Sequence, residues 1–194
     1  MKGYMRIVVL AALFCVSAFA RGNDRTGADE TEFVLVEAES FVQKGGWCVD
    51  QQFMDQMGSP YLIAHGMGVP VEDATTSVQL KKGLWNVWVR TYNWTSPWTD
   101  KEGPGAFSLS VGGKALKTVL GTTGSEWGWQ HAGAVKVRGG KTEIRLHDLT
   151  GFDGRCDAVL LVSGGALPKL PASGERLAEF RKGLSSAVAP VREK

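Results

Sequence analysis

Four tryptophans stand among turn-forming residues in this 194-residue chain: Trp94 and Trp98 in NWTSPW, and Trp127 and Trp129 in TTGSEWGWQ. Tyr92 and Asn93 adjoin the first of them. Aromatic rings offer flat apolar faces on which the C–H faces of a sugar stack, and planar polar groups such as the Asn93 amide bond its hydroxyls. The competing reading is burial, because tryptophan is also a core residue. At most one face of each ring stays open, so roughly two of the four are expected to be available.

Glu37 and Glu39 sit two apart in FVLVEAESF. On a strand their carboxylates share one side about 7 Å apart, an arrangement that wants a counter-cation unless solvent, Lys or Arg takes that part. Farther on, His147, Asp148, Asp153, Arg155 and Asp157 crowd together. An enzyme would use His147 and Asp148 as an acid–base pair, or two of the acids as glycosidase carboxylates. An ion pair of Arg155 with Asp153 or Asp148, in a tight loop marked by Gly151 and Gly154, explains the same residues structurally. Catalysis is not expected: there is no G-x-S-x-G, and Cys156 has no recognisable partner. His65 and His131 are single histidines without metal spacing. Gly66-Met67-Gly68 runs into Val69-Pro70 with no third glycine, so no FAD is expected on this chain.

The chain opens MKGYMRIVVLAALFCVSAFA, with Lys2 and Arg6 ahead of an apolar run and Ala18 and Ala20 at its end. That is the pattern of a signal peptide over residues 1–20, cleaved after Ala20, with a run too short to span a bilayer. A secreted or periplasmic product without a membrane span is expected. Without the leader the net charge falls from +2 to zero. The remaining Lys and Arg are scattered among acids, which excludes the basic footprint that a nucleic acid needs. Cys48 and Cys156 remain. An oxidising compartment permits a bridge between them, worth ~4 kcal/mol on loop-entropy grounds, and a buried free thiol is the alternative.

Strands joined by tight turns suit a composition of 25 glycines, seven tryptophans and many Val and Thr. Residues 21–32 read as a disordered leader and residues 33–165 as the module. FVLVEAESF is a first strand, and residues 43–74 read as long loops with short extended pieces. In LWNVWVRTY, Trp85, Val87 and Val89 share one face while Asn86, Trp88, Arg90 and Tyr92 take the other. Gly112-Gly113 closes one hairpin after FSLSV, and Gly139-Gly140 closes a second between AVKVR and KTEIRLH. DAVLLV, residues 157–162, is the last strand. The sum predicts an all-β jelly-roll sandwich. In residues 166–194, Pro168 and Pro171 mark a linker, and GERLAEFRKGL forms a short helix capped by Ser173 or else a frayed tail.

The ordered series VEAES, KKGLWNVWVRTYN, FSLSVGG, TTGSEWGWQ, VKVRGGKTEIRLHD and GRCDAVLLV resembles carbohydrate-binding module families 6 and 35 over residues 33–163. The resemblance implies the galactose-binding-like jelly roll and a non-catalytic module that recognises a glycan through loop aromatics. It also implies a structural Ca2+ held by Glu37, Glu39 and Asp157, and a ligand-facing Trp127 in TG-x-x-W, ranked first with Trp94. VDQQFMDQMGSPYLIAHGMGVPV and HDLTGFDGRCDAVLL look more narrowly like a module attached to exported bacterial FAD-dependent oxidoreductases. That likeness implies an alternative role, docking to a separately encoded oxidoreductase without sugar affinity. In a bacterial host the Asn93-Trp94-Thr95 sequon would go unused.

Overall fold

The structure, a computed structural model, describes residues 31–164, 169–170 and 174–185. The signal peptide, nearly all of the expected leader, the linker prolines and Ser173 lie outside the described residues. The elements in chain order are β1 (Phe33–Glu37), β2 (Cys48–Asp50), α1 (Met54–Met57), β3 (Tyr61–His65), β4 (Ala74–Leu80), β5 (Gly83–Thr91), β6 (Phe107–Val111), β7 (Lys114–Ala115), β8 (Gly128–Val137), β9 (Gly140–Asp148), β10 (Phe152–Ser163) and α2 (Gly174–Ser185). Among them no helix is long and apolar enough to cross a membrane.

Two antiparallel sheets face each other, as the alternation in the sequence predicts. One is six-stranded, in the order β2-β3-β10-β5-β8 with β1 also pairing β10, and the other is four-stranded, in the order β4-β9-β6-β7. Trp85, Val87 and Val89 of β5, Val159 and Leu161 of β10, Leu109 of β6 and Ile144 and Leu146 of β9 meet in the core between them. The opposite face of β5 is also closed: Asn86 and Arg90 are buried there, on the side that α2 approaches through the contact of its Phe180 with Trp129 on β8.

Four local expectations change. First, residues 43–74 hold β2, β3 and α1. β3 was illegible because YLIAH is apolar on both faces: Leu62 and Ala64 join the central core, Tyr61 and Ile63 join a second cluster outside it, and the period of two disappears. Second, β1 stops at Glu37, and Glu39 lies in a 3-10 turn, Ala38–Ser40. The two glutamates therefore do not share one side of a strand.

Third, Gly112 and Gly113, at φ 57° and 75°, close the β6–β7 hairpin as expected, whereas Gly139 and Gly140 do not close one. β8 pairs with β5 in one sheet and β9 with β4 and β6 in the other, so this turn carries the chain between the layers. Fourth, the last strand begins at Phe152, earlier than DAVLLV, and is bulged at two places, between Phe152 and Gly154 and between Cys156 and Ala158. Asp157 is thus a bulge residue within the strand, and an extra residue there re-aims the side chain.

Candidate functional site

At one end of the six-stranded sheet, pairing of Thr91 with Gly128 brings the residue after β5 and the residue before β8 together. These are Tyr92 and Trp127, whose rings stack at 5.4 Å and 25°. Phe53, just before α1, packs edge-on against both, at 5.7 and 5.8 Å, and Tyr61 reaches Trp127 at 5.0 Å. Above this aromatic floor opens a cavity of about 540 Å³, rimmed by Asp55, Gln56, Ser125 and Glu126. The rim residues are exposed, so hydrogen-bonding groups surround an apolar base. Trp127 itself is only 6% exposed: it is a packed floor, and Arg90 lies over its ring at 5.6 Å.

Beside the cavity, Trp94 packs onto the same cluster. Its Nε1 donates to the Phe152 carbonyl at 3.0 Å, and the Arg155 guanidinium stands over its ring at 5.4 Å. Trp98 meets Trp94 edge-on at 6.2 Å and is 76% exposed. Asn93 is buried. Its Oδ1 accepts from the backbone N and the hydroxyl of Thr95, so the amide oxygen shapes the loop, and the sequon asparagine is not presented to solvent. The Ser96 hydroxyl donates to the Ser125 carbonyl and ties this loop to the cavity rim. Trp129 lies on β8, with its ring against Phe180 of α2. Of the predicted aromatics, the structure therefore gathers Tyr92, Trp94, Trp98 and Trp127 at one end, and Trp129 faces the helix. Phe53, Asp55 and Gln56 went unnoticed because they fall in a segment without periodicity, while Ser125 and Glu126 stood inside the TG-x-x-W stretch.

Arg90, which also lines the cavity, belongs to a charged cluster. Arg90 Nη1 is 2.8 Å from Asp157 Oδ2, with both side chains fully buried, and it also meets the Met57 sulfur. Arg181 of α2 bonds the same Asp157 oxygen and lies 3.2 Å from Glu37. Burial pushes the Glu37 and Glu39 carboxyls up to about 7. Burial also lowers the Arg90 guanidinium from its ordinary value, with Asp157 acting against that.

As arranged, Glu37, Glu39 and Asp157 do not fit a calcium ion. The Asp157 oxygen that would serve it already holds two guanidiniums, and among the described residues no group of three or more His, Cys, Asp or Glu is placed to hold a metal. A signal for this was present in the sequence: Arg90 is the lone charge of β5, and a buried charge must find a partner.

The remaining polar residues take structural parts. His147 and Asp148 are neighbours on β9 and point to opposite faces. His147 pairs with Asp73 at 3.0 Å and with Ser110 at 3.0 Å, whereas Asp148 is buried and accepts from the backbone N–H groups of Val71, Thr150 and Gly151. They do not form an acid–base pair. Asp153 bonds His65 at 2.5 Å at the surface, and Arg155 Nη1 donates to the Asp153 carbonyl rather than to a carboxylate.

Cys48 is exposed and Cys156 buried, both as free thiols. The register explains why no bridge forms: Cys48 sits opposite Ile63 and Cys156 opposite Leu62, residues on opposite faces of β3. Gly66-Met67-Gly68 forms a tight turn, with Met67 at φ 53° and 84% exposed.

No family profile matches this sequence, and no curated protein is detectably similar to it in sequence. Its fold is found among solved structures. A family 35 carbohydrate-binding module from Clostridium thermocellum superposes with a TM-score of 0.53 at 18% identity, covering 69% of this chain and 99% of that one. The two chains share the same two-sheet sandwich fold. A GH26-CBM35 β-(1,4)-mannanase from Podospora anserina matches with a TM-score of 0.53 and 18% identity over 71% of this chain, a region that spans 29% of the mannanase. The CBM36-1 domain of a multidomain xylanase from the hindgut metagenome of Trinervitermes trinervoides matches with a TM-score of 0.50 and 17% identity, over 71% of this chain and 100% of the domain. At such identities the likeness to a carbohydrate-binding module is one of fold, and a fold alone does not carry a ligand.

Proposed function

We propose that this protein is an exported, non-catalytic module that binds a neutral glycan at the cavity above Phe53, Tyr92 and Trp127. The observation that carries the reading is the pairing of an aromatic base with a rim of Asp55, Gln56, Ser125 and Glu126 around about 540 Å³. A sugar residue presents a C–H face to such a base and several hydroxyl donors to such a rim. The two rim carboxylates accept from hydroxyls and repel a uronate, while the Arg90 guanidinium in the lining is already paired with Asp157, a balance that favours uncharged sugars. Trp98, exposed beside the cavity, offers a stacking face to the next sugar along a chain. The carbohydrate-binding-module fold supports this reading.

The test is affinity electrophoresis of residues 21–194 against neutral and uronic-acid polysaccharides, with Glu126→Gln and Asp55→Asn as comparisons. Retention on a neutral polysaccharide that either variant weakens supports the assignment. Retention unaffected by both variants removes the cavity from consideration.

A second reading rests on exposed apolar side chains near Trp94: Phe152 at 49%, Met67 at 84% and Val69 at 68%. The Phe152 ring lies over Gly68, so these residues form one surface, of the kind that receives a protein partner. An exported oxidoreductase is the partner implied by the sequence resemblance. No retention on any glycan of a broad panel would favour this role.

A further inference from the structure

We infer that Arg181 of the C-terminal helix is the resident cation of the Glu37–Glu39–Asp157 cluster, so that the docked helix and a calcium ion are competitors for the same oxygens. The donor set around its guanidinium is an oxygen cage. Nη1 donates to the Met57 carbonyl at 2.8 Å and to the Ser59 hydroxyl at 2.7 Å. Nη2 donates to Asp157 Oδ2 and lies 3.2 Å from Glu37 Oε2. Ser59 in turn donates to the other Asp157 oxygen at 3.3 Å. Two carboxylates, a backbone carbonyl and a hydroxyl are also the groups that a hard cation prefers. The guanidinium donates to the carbonyl, the hydroxyl and Asp157 and faces Glu37 Oε2 as an ion pair without a hydrogen bond, and its side chain is 10% exposed.

The charge balance points the same way. Asp157, Glu37 and Glu39 face Arg90 and Arg181, and the Glu39 Oε2 is buried without a hydrogen-bond partner among the described residues. Removing Arg181 takes away a cation that lowers the pKa of both glutamates and leaves three carboxyls around an oxygen cage with Arg90 as their remaining cation, an arrangement that a divalent cation occupies with release of the carboxyl protons. Arg181 also fixes the loop below the cavity, because Met57 closes α1 and Ser59 follows it. Its bonds therefore tie the C-terminal helix to the segment that supplies Phe53, Asp55 and Gln56. The inference is independent of the glycan reading, since its readouts involve no sugar.

The experiment is thermal unfolding of the full chain with excess chelator and with millimolar Ca2+, for wild type, Arg181→Met and Arg181→Lys. Wild type is expected to melt at one temperature in both conditions. Arg181→Met should melt roughly 10 °C lower in chelator and recover most of that in Ca2+. Arg181→Lys, which keeps the charge without the fork, should fall in between and respond less to the ion. If Arg181→Met does not fold in chelator, its recovery on refolding into Ca2+ gives the same answer. Terbium, a luminescent substitute for Ca2+, should bind Arg181→Met and not wild type. A wild-type melting temperature that rises with Ca2+ and falls with chelator overturns the inference, as does an Arg181→Met variant that Ca2+ leaves uncorrected.

Discussion

Arg90 Nη1 lies 2.8 Å from Asp157 Oδ2, and neither side chain has any exposure to solvent. The two residues come from neighbouring strands, β5 and β10, and the bulge between Cys156 and Ala158 turns the carboxylate to the side where Arg90 emerges. Asp157→Asn would leave two buried guanidiniums, Arg90 and Arg181, without their shared charge. Removing one partner of a buried pair costs about 3–5 kcal/mol. Chemical denaturation of the variant should show a loss of that order, and a loss below about 1 kcal/mol would mean that the pair is not an element of stability.

Stability should depend on pH through the two glutamates. Burial raises Glu37 and Glu39 from an ordinary 4.5 to about 7 in the folded chain. Between those values the folded protein holds protons that the unfolded chain has released. The stability this confers is fully present below about pH 4.5 and is lost as pH rises through about 7. Urea midpoints measured through that window should fall with rising pH, and Glu37→Gln with Glu39→Gln should flatten the slope. A slope that survives both substitutions would assign it to other groups.

Trp98 and Trp127 should separate binding from folding. Trp127 is 6% exposed and packed by Phe53, Tyr61 and Tyr92, so Trp127→Ala should cost about 3–5 kcal/mol. The ligand-facing Trp127 that the resemblance implies is here a packed floor, 6% exposed. Trp98→Ala should change stability by less than about 0.5 kcal/mol. If the glycan reading holds, it should weaken retention about tenfold, equivalent to about 1.4 kcal/mol. Unchanged retention in Trp98→Ala would confine the ligand to the cavity.

The thiols should differ in reactivity. Cys48 is exposed on β2 and Cys156 is buried in the core, where burial pushes its thiol well above the ordinary value. In the chain from residue 21 onward, Cys48 should react with a thiol reagent under native conditions and Cys156 only after unfolding. Finding no free thiol in the denatured, unreduced protein would indicate a bridge that this fold does not accommodate.

Much of the sandwich was legible because its signals are local. The alternation in LWNVWVRTY placed Trp85, Val87 and Val89 in the core, and Gly112-Gly113 announced a hairpin that is present. In AVKVR and KTEIRLH the same alternation marks Val135, Val137, Ile144 and Leu146, and all four are buried. Alternation and turn chemistry are properties of a few consecutive residues, which is why the all-β architecture and its core faces follow from the amino-acid order, whereas the choice between a helix and a frayed tail at residues 174–185 was settled by the structure.

Only tertiary structure decided which strand belongs to which sheet. The Gly139-Gly140 turn looks in sequence like the hairpin turn before β7, yet the strands it joins pair with β5 on one side and with β4 and β6 on the other. Pairing partners are set by burial across the whole layer, not by the turn. The cation of the acid cluster was hidden for the same reason. The pair Glu37 and Glu39 suggests a counter-cation and the family resemblance adds Asp157 to it, but Arg181, which pairs with Glu37 and Asp157, comes from a helix beyond the sandwich. A long-range ion pair leaves no periodic trace in either segment, so the need for a counter-cation could be read from the sequence, but its source could not.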